Sequence, residues 1–334
     1  MSNPVLVEVM RGERVESMHR GAIVVSDAKG RLVWSCGVVD APIFPRSAVK
    51  AIQALPLLES GSADRLQLTD AELALAVASH SGEPDHVACA EAMIAKAGYQ
   101  PSCLECGVQW PMGEAATRAL ARTGGQPTAL HNNCSGKHAG FLCLACGLDA
   151  DPTGYVHSDH RVQQQVTEAL ASMTGSGFDA ALCGTDGCSI PTYAIPLRDL
   201  ARAFAQIGTG EGLGPQRAKA FERIRQAVAA HPFMVAGTGR FDTEAMQILG
   251  ARLFCKTGAE GVYCAALPEQ GLGVAIKCED GAGRAAQVIM AMVVDRFLPM
   301  QEEQRAAFAP LLRPTLLNWN RIQVGSLRPV AVFS

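Results

Sequence analysis

The stretch Phe44-Pro45-Arg46-Ser47-Ala48-Val49-Lys50-Ala51-Ile52-Gln53 decides how the rest of the chain is read. Pro42 and Pro45 close an extended segment, because a residue before proline is driven out of the α region. From Ser47 onward the apolar residues Val49, Ile52, Leu55, Leu57 and Leu58 recur at three-to-four spacing. That pattern predicts a helix with one buried face, ending near Gly61. Ser47 and Lys50 then lie on the same face, about 5–6 Å apart at Cβ. A lysine so placed takes a serine proton only as the neutral amine, a form favoured by burial or by a neighbouring cation. One Ser-x-x-Lys arises by chance in many long chains, so its meaning depends on its company.

Moving outward, Leu6–Met10 and Ala22–Ser26 read as strands. The turn Asp27-Ala28-Lys29-Gly30 returns the chain through Arg31–Cys36 as an antiparallel hairpin. Thr69-Asp70-Ala71-Glu72 is a capping-box start for the apolar run Leu73–Ala78, which breaks at Ser79-His80-Ser81-Gly82-Glu83-Pro84. The middle third is helical: Asp85–Lys96, Gly113–Arg122, the stretch after Lys137, Val162–Met173, Leu197–Gln206 and Gln216–Ala230. Gly208-Thr209-Gly210-Glu211-Gly212 reads as a surface loop, because no following Lys-Ser/Thr supports a phosphate cradle. Strands return at Ala251–Gly258, Gly261–Leu267 and Leu272–Cys278, before a final helix Gly283–Phe297. The expected fold class is therefore α+β (α/β). It has an antiparallel sheet built from both termini, flanked by helices, with an inserted helical lobe. The expected domain is a single catalytic one, its sheet lobe at about 1–45 and 235–334 and its helical lobe at about 46–234.

The 334 residues are 48% hydrophobic and 18% charged, enough to bury one large or two modest cores. A net charge of −3 and the absence of a long basic run argue against nucleic acid and anionic membrane as partners. The N-terminus has no basic region followed by an apolar core, and the longest apolar run, Val288–Val294, is too short to span a bilayer. These features predict a soluble cytoplasmic protein. In such a compartment its twelve cysteines are core residues or metal ligands rather than disulfides.

Three motifs now fall in one order. Ser-x-x-Lys opens an early helix, Ser-x-Ser (Ser79, Ser81) sits in the next break, and Lys256-Thr257-Gly258 ends a late strand. That is the order and setting of the elements shared by serine β-lactamases and penicillin-binding enzymes. The chemistry is consistent: one serine is the nucleophile with a helical lysine as base, and a second serine and lysine relay a proton to the leaving amine. Two lysines at one site also disfavour each other's charge, which helps keep one neutral.

Two glycine-punctuated breaks, His131–Gly140 and Gly184–Pro191, each carry a cysteine, Cys134 and Cys188. Thiolates from two such loops suit zinc. On residue chemistry alone His138 is the expected third ligand. The pairs Cys103/Cys106 and Cys143/Cys146 are spaced too far apart for a zinc ribbon, and the second lies in an apolar stretch that predicts core packing.

Seven segments together carry a resemblance: Val15–Gly21, Phe44–Ser47 with Lys50, Ala78–Pro84, Asn133–Gly140, Asp186–Cys188, Gly239–Thr243 and Lys256–Val262. Over about Val5 to Leu298 the chain resembles the Rhizobium etli-type (class 3, asparaginase II) L-asparaginases. The resemblance implies hydrolysis of L-asparagine to L-aspartate and ammonia, a fold similar to serine β-lactamases and glutaminases, and a homodimer. It implies two catalytic pairs, Ser47 with Lys50 and Ser79 with Lys256. It also implies a zinc site on Cys134, Lys137 and Cys188, which replaces His138 as third ligand and requires Lys137 as the neutral amine. Asp186 is expected to meet the substrate ammonium, with His80 and Ser81 as further substrate contacts. Arg46, on the reading of the residues alone, faces the substrate carboxylate. The motifs themselves would equally suit a glutaminase or a β-lactam hydrolase, and a non-catalytic zinc-binding module is the alternative outside enzymes. One local departure from the resemblance is Ser189, where a small residue such as glycine is expected.

Overall fold

The computed structural model describes residues 2–177 and 180–333. The chain divides into two compact units. One comprises Met1–Ala48, Ile195–Gly212 and Ile248–Ser334, the other Val49–Ala194 and Leu213–Gln247. The sheet unit thus takes in 195–212, and the helical unit runs on to 247 rather than to about 234.

The sheet unit begins with β1 (Val5–Arg11), β2 (Arg14–Asp27), β3 (Leu32–Cys36) and the short β4 (Pro42–Ile43). In the helical unit lie β5 (Cys183–Thr185) and β6 (Pro191–Tyr193), paired with each other; β7 (Ile195–Pro196) pairs with β4. The sheet is completed by β8 (Phe254–Thr257), β9 (Val262–Leu267), β10 (Leu272–Cys278), β11 (Thr315–Leu317) and β12 (Gln323–Pro329).

The order is β11-β12-β1-β2-β10-β9-β8, with β3 also on β2, and every pairing is antiparallel. Both chain ends are therefore built into one sheet, with Val7 opposite Pro329. All six residues of β9 are buried, as they must be in a strand covered on both faces. The covers are helices Leu197–Thr209 and Gly283–Phe297, each packed on β9 and β10. Gly273 lets the first approach: a Cβ there would lie 2.0 Å from the Ala201 carbonyl oxygen.

In the helical unit, the buried helix Ser135–Gly147 packs against Asp70–Ala76 and Pro84–Lys96. Thr69 closes a capping box with Glu72, as expected. The long helix expected from Ser47 to Gly61 is instead a 3₁₀ turn, Arg46–Val49, and short helices Lys50–Gln53 and Leu55–Glu59. Pro56 sits in the first turn of the second helix, where its missing N–H is tolerated, so it marks a fresh start. No helix among the described residues is long and apolar enough to cross a membrane.

Candidate active site

Lys50 is fully buried in the helical unit. Its Nζ donates to the Ala78 carbonyl, lies 3.1 Å from Ser79 Oγ and lies 3.3 Å from Cys134 Sγ. Burial lowers its pKa, opposed by the Cys134 and Cys188 sulfurs and reinforced by Lys137. Lys50 thus has the buried, pKa-lowered setting that a base requires, and it is within hydrogen-bond reach of the Ser79 hydroxyl. The Ser-x-x-Lys spacing pairs it with Ser47, and no sequence signal points to Cys134 as its neighbour.

The loop carrying Ser79 is fixed on both sides. Ser79 N–H donates to Val235 O at 2.9 Å and His80 N–H to Asn133 O at 3.2 Å. His80 accepts from Gly82 N–H at Nδ1 (3.1 Å), so its Nε2–H donates to Ser135 Oγ at 3.0 Å, and Ser135 in turn donates to Leu130 O at 2.8 Å. Complete burial holds His80 well below the usual imidazole pKa and hence neutral. Ser81 Oγ donates to Ala236 O at 2.9 Å. His80 and Ser81, expected as substrate contacts, are thus engaged in holding this loop. Glu83 completes the fixation by accepting from Thr238 N–H and Thr238 Oγ1, both at 2.8 Å. Only glycine fits opposite: Gly237 has φ +111, and a Cβ there would lie 2.5 Å from Glu83 Oε1.

Cys134, Lys137 and Cys188 converge behind Lys50. Lys137 Nζ donates to Cys188 Sγ at 3.0 Å, and Cys188 Sγ lies 3.7 Å from Asp186 Oδ2. All three are nearly inaccessible to solvent. The hydrogen bond from Cys188, aided by Lys50 and Lys137 against the opposing effect of burial, holds Cys134 well below the usual thiol range. Cys188 is pushed up in return, by the hydrogen bond to Cys134 and by burial. Burial would lower the Lys137 pKa, but Cys188, Cys134 and Asp186 outweigh it and raise the pKa, which favours the ammonium. Two sulfurs and an amine fit a zinc ion chemically, provided that Lys137 gives up its proton as the metal enters.

The close packing beneath this group explains Gly136, where a Cβ would lie 2.3 Å from Leu75 O. Ser189, the departure noted above, has φ +77, a conformation that favours glycine. His138 points elsewhere: its Nδ1 lies 2.6 Å from the Tyr155 hydroxyl, which itself accepts from Glu105 N–H at 2.9 Å. Tyr155 is wholly buried, and nothing in the sequence singled it out. Of the Cys-x-x-Cys pairs, Cys106 donates to Ala129 O and Cys143 to Met93 O, and burial pushes both thiols up to about 12. They pack as inert thiols.

In the sheet unit, Lys256 is fully buried on β8, and its Nζ donates to Thr257 O at 2.8 Å. Gly258 follows in a turn against the Ser47 segment: a Cβ there would lie 2.5 Å from Pro45 O and 3.4 Å from Ala48 Cβ. The Lys-Thr-Gly turn and the residues flanking Ser47 are therefore in contact. Arg46 adopts φ +52, strained for a residue with a side chain and immediately before Ser47.

A family model described as L-asparaginase II matches residues 7–329. A search of curated protein sequences returned no match. Among solved structures, a candidate β-lactamase from Bacteroides dorei is 13% identical with a TM-score of 0.45, covering 83% of this chain and 92% of its own. A β-lactamase from Mycobacterium bovis is 13% identical with a TM-score of 0.41, covering 84% and 95%. The protein Mglu is 16% identical with a TM-score of 0.40, covering 85% and 68%.

Proposed function

Because the chain belongs to the L-asparaginase II family, we propose that it hydrolyses L-asparagine to L-aspartate and ammonia by acyl transfer to a serine. The observation that carries the mechanism is the buried Lys50 amine, 3.1 Å from Ser79 Oγ and depressed in pKa by burial. In this reading neutral Lys50 takes the Ser79 proton as Oγ attacks the side-chain amide carbon. The same proton passes to the amide nitrogen, the carbon–nitrogen bond breaks, and ammonia leaves. Water then attacks the ester, gives a proton to Lys50, and releases aspartate as the serine is reprotonated. Ser47 and Lys256 are proposed as a second hydroxyl and amine within the sheet unit, in place of the pairs Ser47 with Lys50 and Ser79 with Lys256 that the resemblance implies, supported by the contact of Gly258 with the residues flanking Ser47. Asp186 is proposed to hold the substrate ammonium, since the charge of a free amino acid needs a matching partner.

Zinc is proposed on Cys134, Lys137 and Cys188, supported by the convergence of their donor atoms. Bound there, it would fix the charge of the sulfurs beside Lys50 and orient substrate, rather than supply hydroxide. A homodimer in the cytoplasm completes the proposal, consistent with twelve cysteines that are all free thiols. The deciding experiment is ammonia release by the purified protein from L-asparagine, L-glutamine and a chromogenic β-lactam. Turnover of asparagine in preference to the other two supports the reading, and turnover of glutamine or the lactam alone overturns the substrate.

A further inference from the structure

We propose that the sheet unit holds a second metal site, a zinc-class divalent cation bound by His19, Cys278 and Asp280. β2 and β10 pair as far as Gly21 and Cys278, and Glu279 N–H continues the ladder to Arg20 O at 2.8 Å. One residue further on, Asp280 lies against His19: its Oδ2 is 2.6 Å from Nδ1, and its Oδ1 accepts from the Cys278 thiol at 3.0 Å. One nitrogen, one sulfur and one oxygen donor lie within 4.8 Å of one another, the only such group among the described residues.

The group has the features of a built site. His19 and Cys278 are 6% and 0% exposed. Ala282 N–H donates to Asp280 Oδ1 at 3.0 Å and fixes the carboxylate. Gly261 packs over Cys278 so closely that a Cβ would lie 2.8 Å from the cysteine's own Cβ. The Asp280 side chain is 49% exposed and leaves an approach from solvent. His19 Nε2 is buried and has no hydrogen-bond partner. An orphaned buried ring nitrogen calls for an ion or water, and rotation about Cβ–Cγ lets His19 offer either nitrogen.

The donor set selects the ion. Mixed imidazole, thiolate and carboxylate suits zinc or cobalt, whereas calcium and magnesium require oxygen. A cysteine nucleophile is the competing use of the same residues, and the geometry opposes it. The thiol proton goes to the carboxylate and not to the imidazole, and burial together with Asp280 pushes the thiol up to about 12. With the metal bound, the thiol proton leaves to solvent, and the ligands tie the end of β10 to β2.

The test is zinc content per chain after stripping with chelator, reloading with zinc and desalting. It compares the intact protein with Cys278→Ala, Asp280→Asn and Cys188→Ala. The intact protein is expected to hold one more zinc than Cys278→Ala or Asp280→Asn. Cys188→Ala, which leaves the sheet site whole, is expected to keep one zinc and, loaded with cobalt(II), to show a thiolate-to-cobalt charge-transfer absorption. Equal zinc in the intact protein and in folded Asp280→Asn overturns the proposal, as does a cobalt spectrum of Cys188→Ala without thiolate absorption. Asp280→Asn preserves shape and volume, so the test stands if Cys278→Ala does not fold. Ammonia release is not the readout, so loss of the site and failure of the proposed activity are separable.

Discussion

At the scale of single residues, Lys50 combines an unfavourable burial with a favourable neighbourhood. Its side chain would cost several kcal/mol to bury charged and alone, and three acceptors surround it. Lys50→Met removes the amine at similar volume. It is expected to leave stability within about 1 kcal/mol or raise it, while kcat falls about 10²–10⁴-fold; thermal unfolding and ammonia release measure the two. Ser79→Ala should abolish turnover with the fold intact. Ser189 has φ +77 next to Cys188, so Ser189→Gly is expected to stabilise by about 1 kcal/mol, read as a higher urea midpoint at unchanged m-value. The sequence made Ser189 visible only as a departure from resemblance; the backbone supplies the reason. The pairing of Lys50 with Ser79 was not legible, because the two are 29 positions apart and joined only by packing.

At the scale of elements, the Ser79 loop is fastened through His80, Ser81 and Glu83 to chain segments far away in sequence. His80 is neutral when folded and titrates freely when unfolded. Its folded pKa lies below the unfolded value of about 6.5, so the unfolded state binds the extra proton. The stability that it supports is complete above about pH 6.5 and is lost as pH falls, at about 1.4 kcal/mol per pH unit. Urea midpoints of the intact protein and of His80→Gln between neutral and mildly acid pH should differ in slope by one proton. Equal slopes would remove His80 from the acid limb. Gly136→Ala should cost about 1–3 kcal/mol by overpacking, since the new methyl meets Leu75 O at 2.3 Å. Elements with strong local signals were legible. The capping box at Thr69 and the helix Gly283–Phe297 are observed as read. The helix predicted from Ser47 is longer than those observed, because apolar spacing persists across Pro56 although the backbone restarts there.

At the scale of the molecule, both chain ends form neighbouring strands of one sheet, with β12 pairing β1 across more than 300 residues. Such long closures slow folding. Removing residues 315–334 would expose the β1 edge and the contacts of buried Leu327. The shortened chain is expected to aggregate, as light scattering would show, because an unpaired edge recruits other strands. The sheet's assembly from both termini was legible from the strand-rich ends, but β11, β12 and the helix Glu302–Leu312 were not. The strand Gln323-Val324-Gly325-Ser326-Leu327-Arg328-Pro329 has few apolar residues and a glycine, and it is a strand because β1 lies beside it. Gly325 permits that approach, since a Cβ there would lie 1.9 Å from Met10 O.

The central claim, serine acyl transfer served by a buried neutral lysine, is tested most directly by intact mass spectrometry with an electrophilic aspartate analogue, followed by peptide mapping. The account predicts one adduct per chain on Ser79, absent from Lys50→Met. An adduct that persists at full rate in Lys50→Met, or labelling of Ser47 with Ser79 untouched, would contradict it.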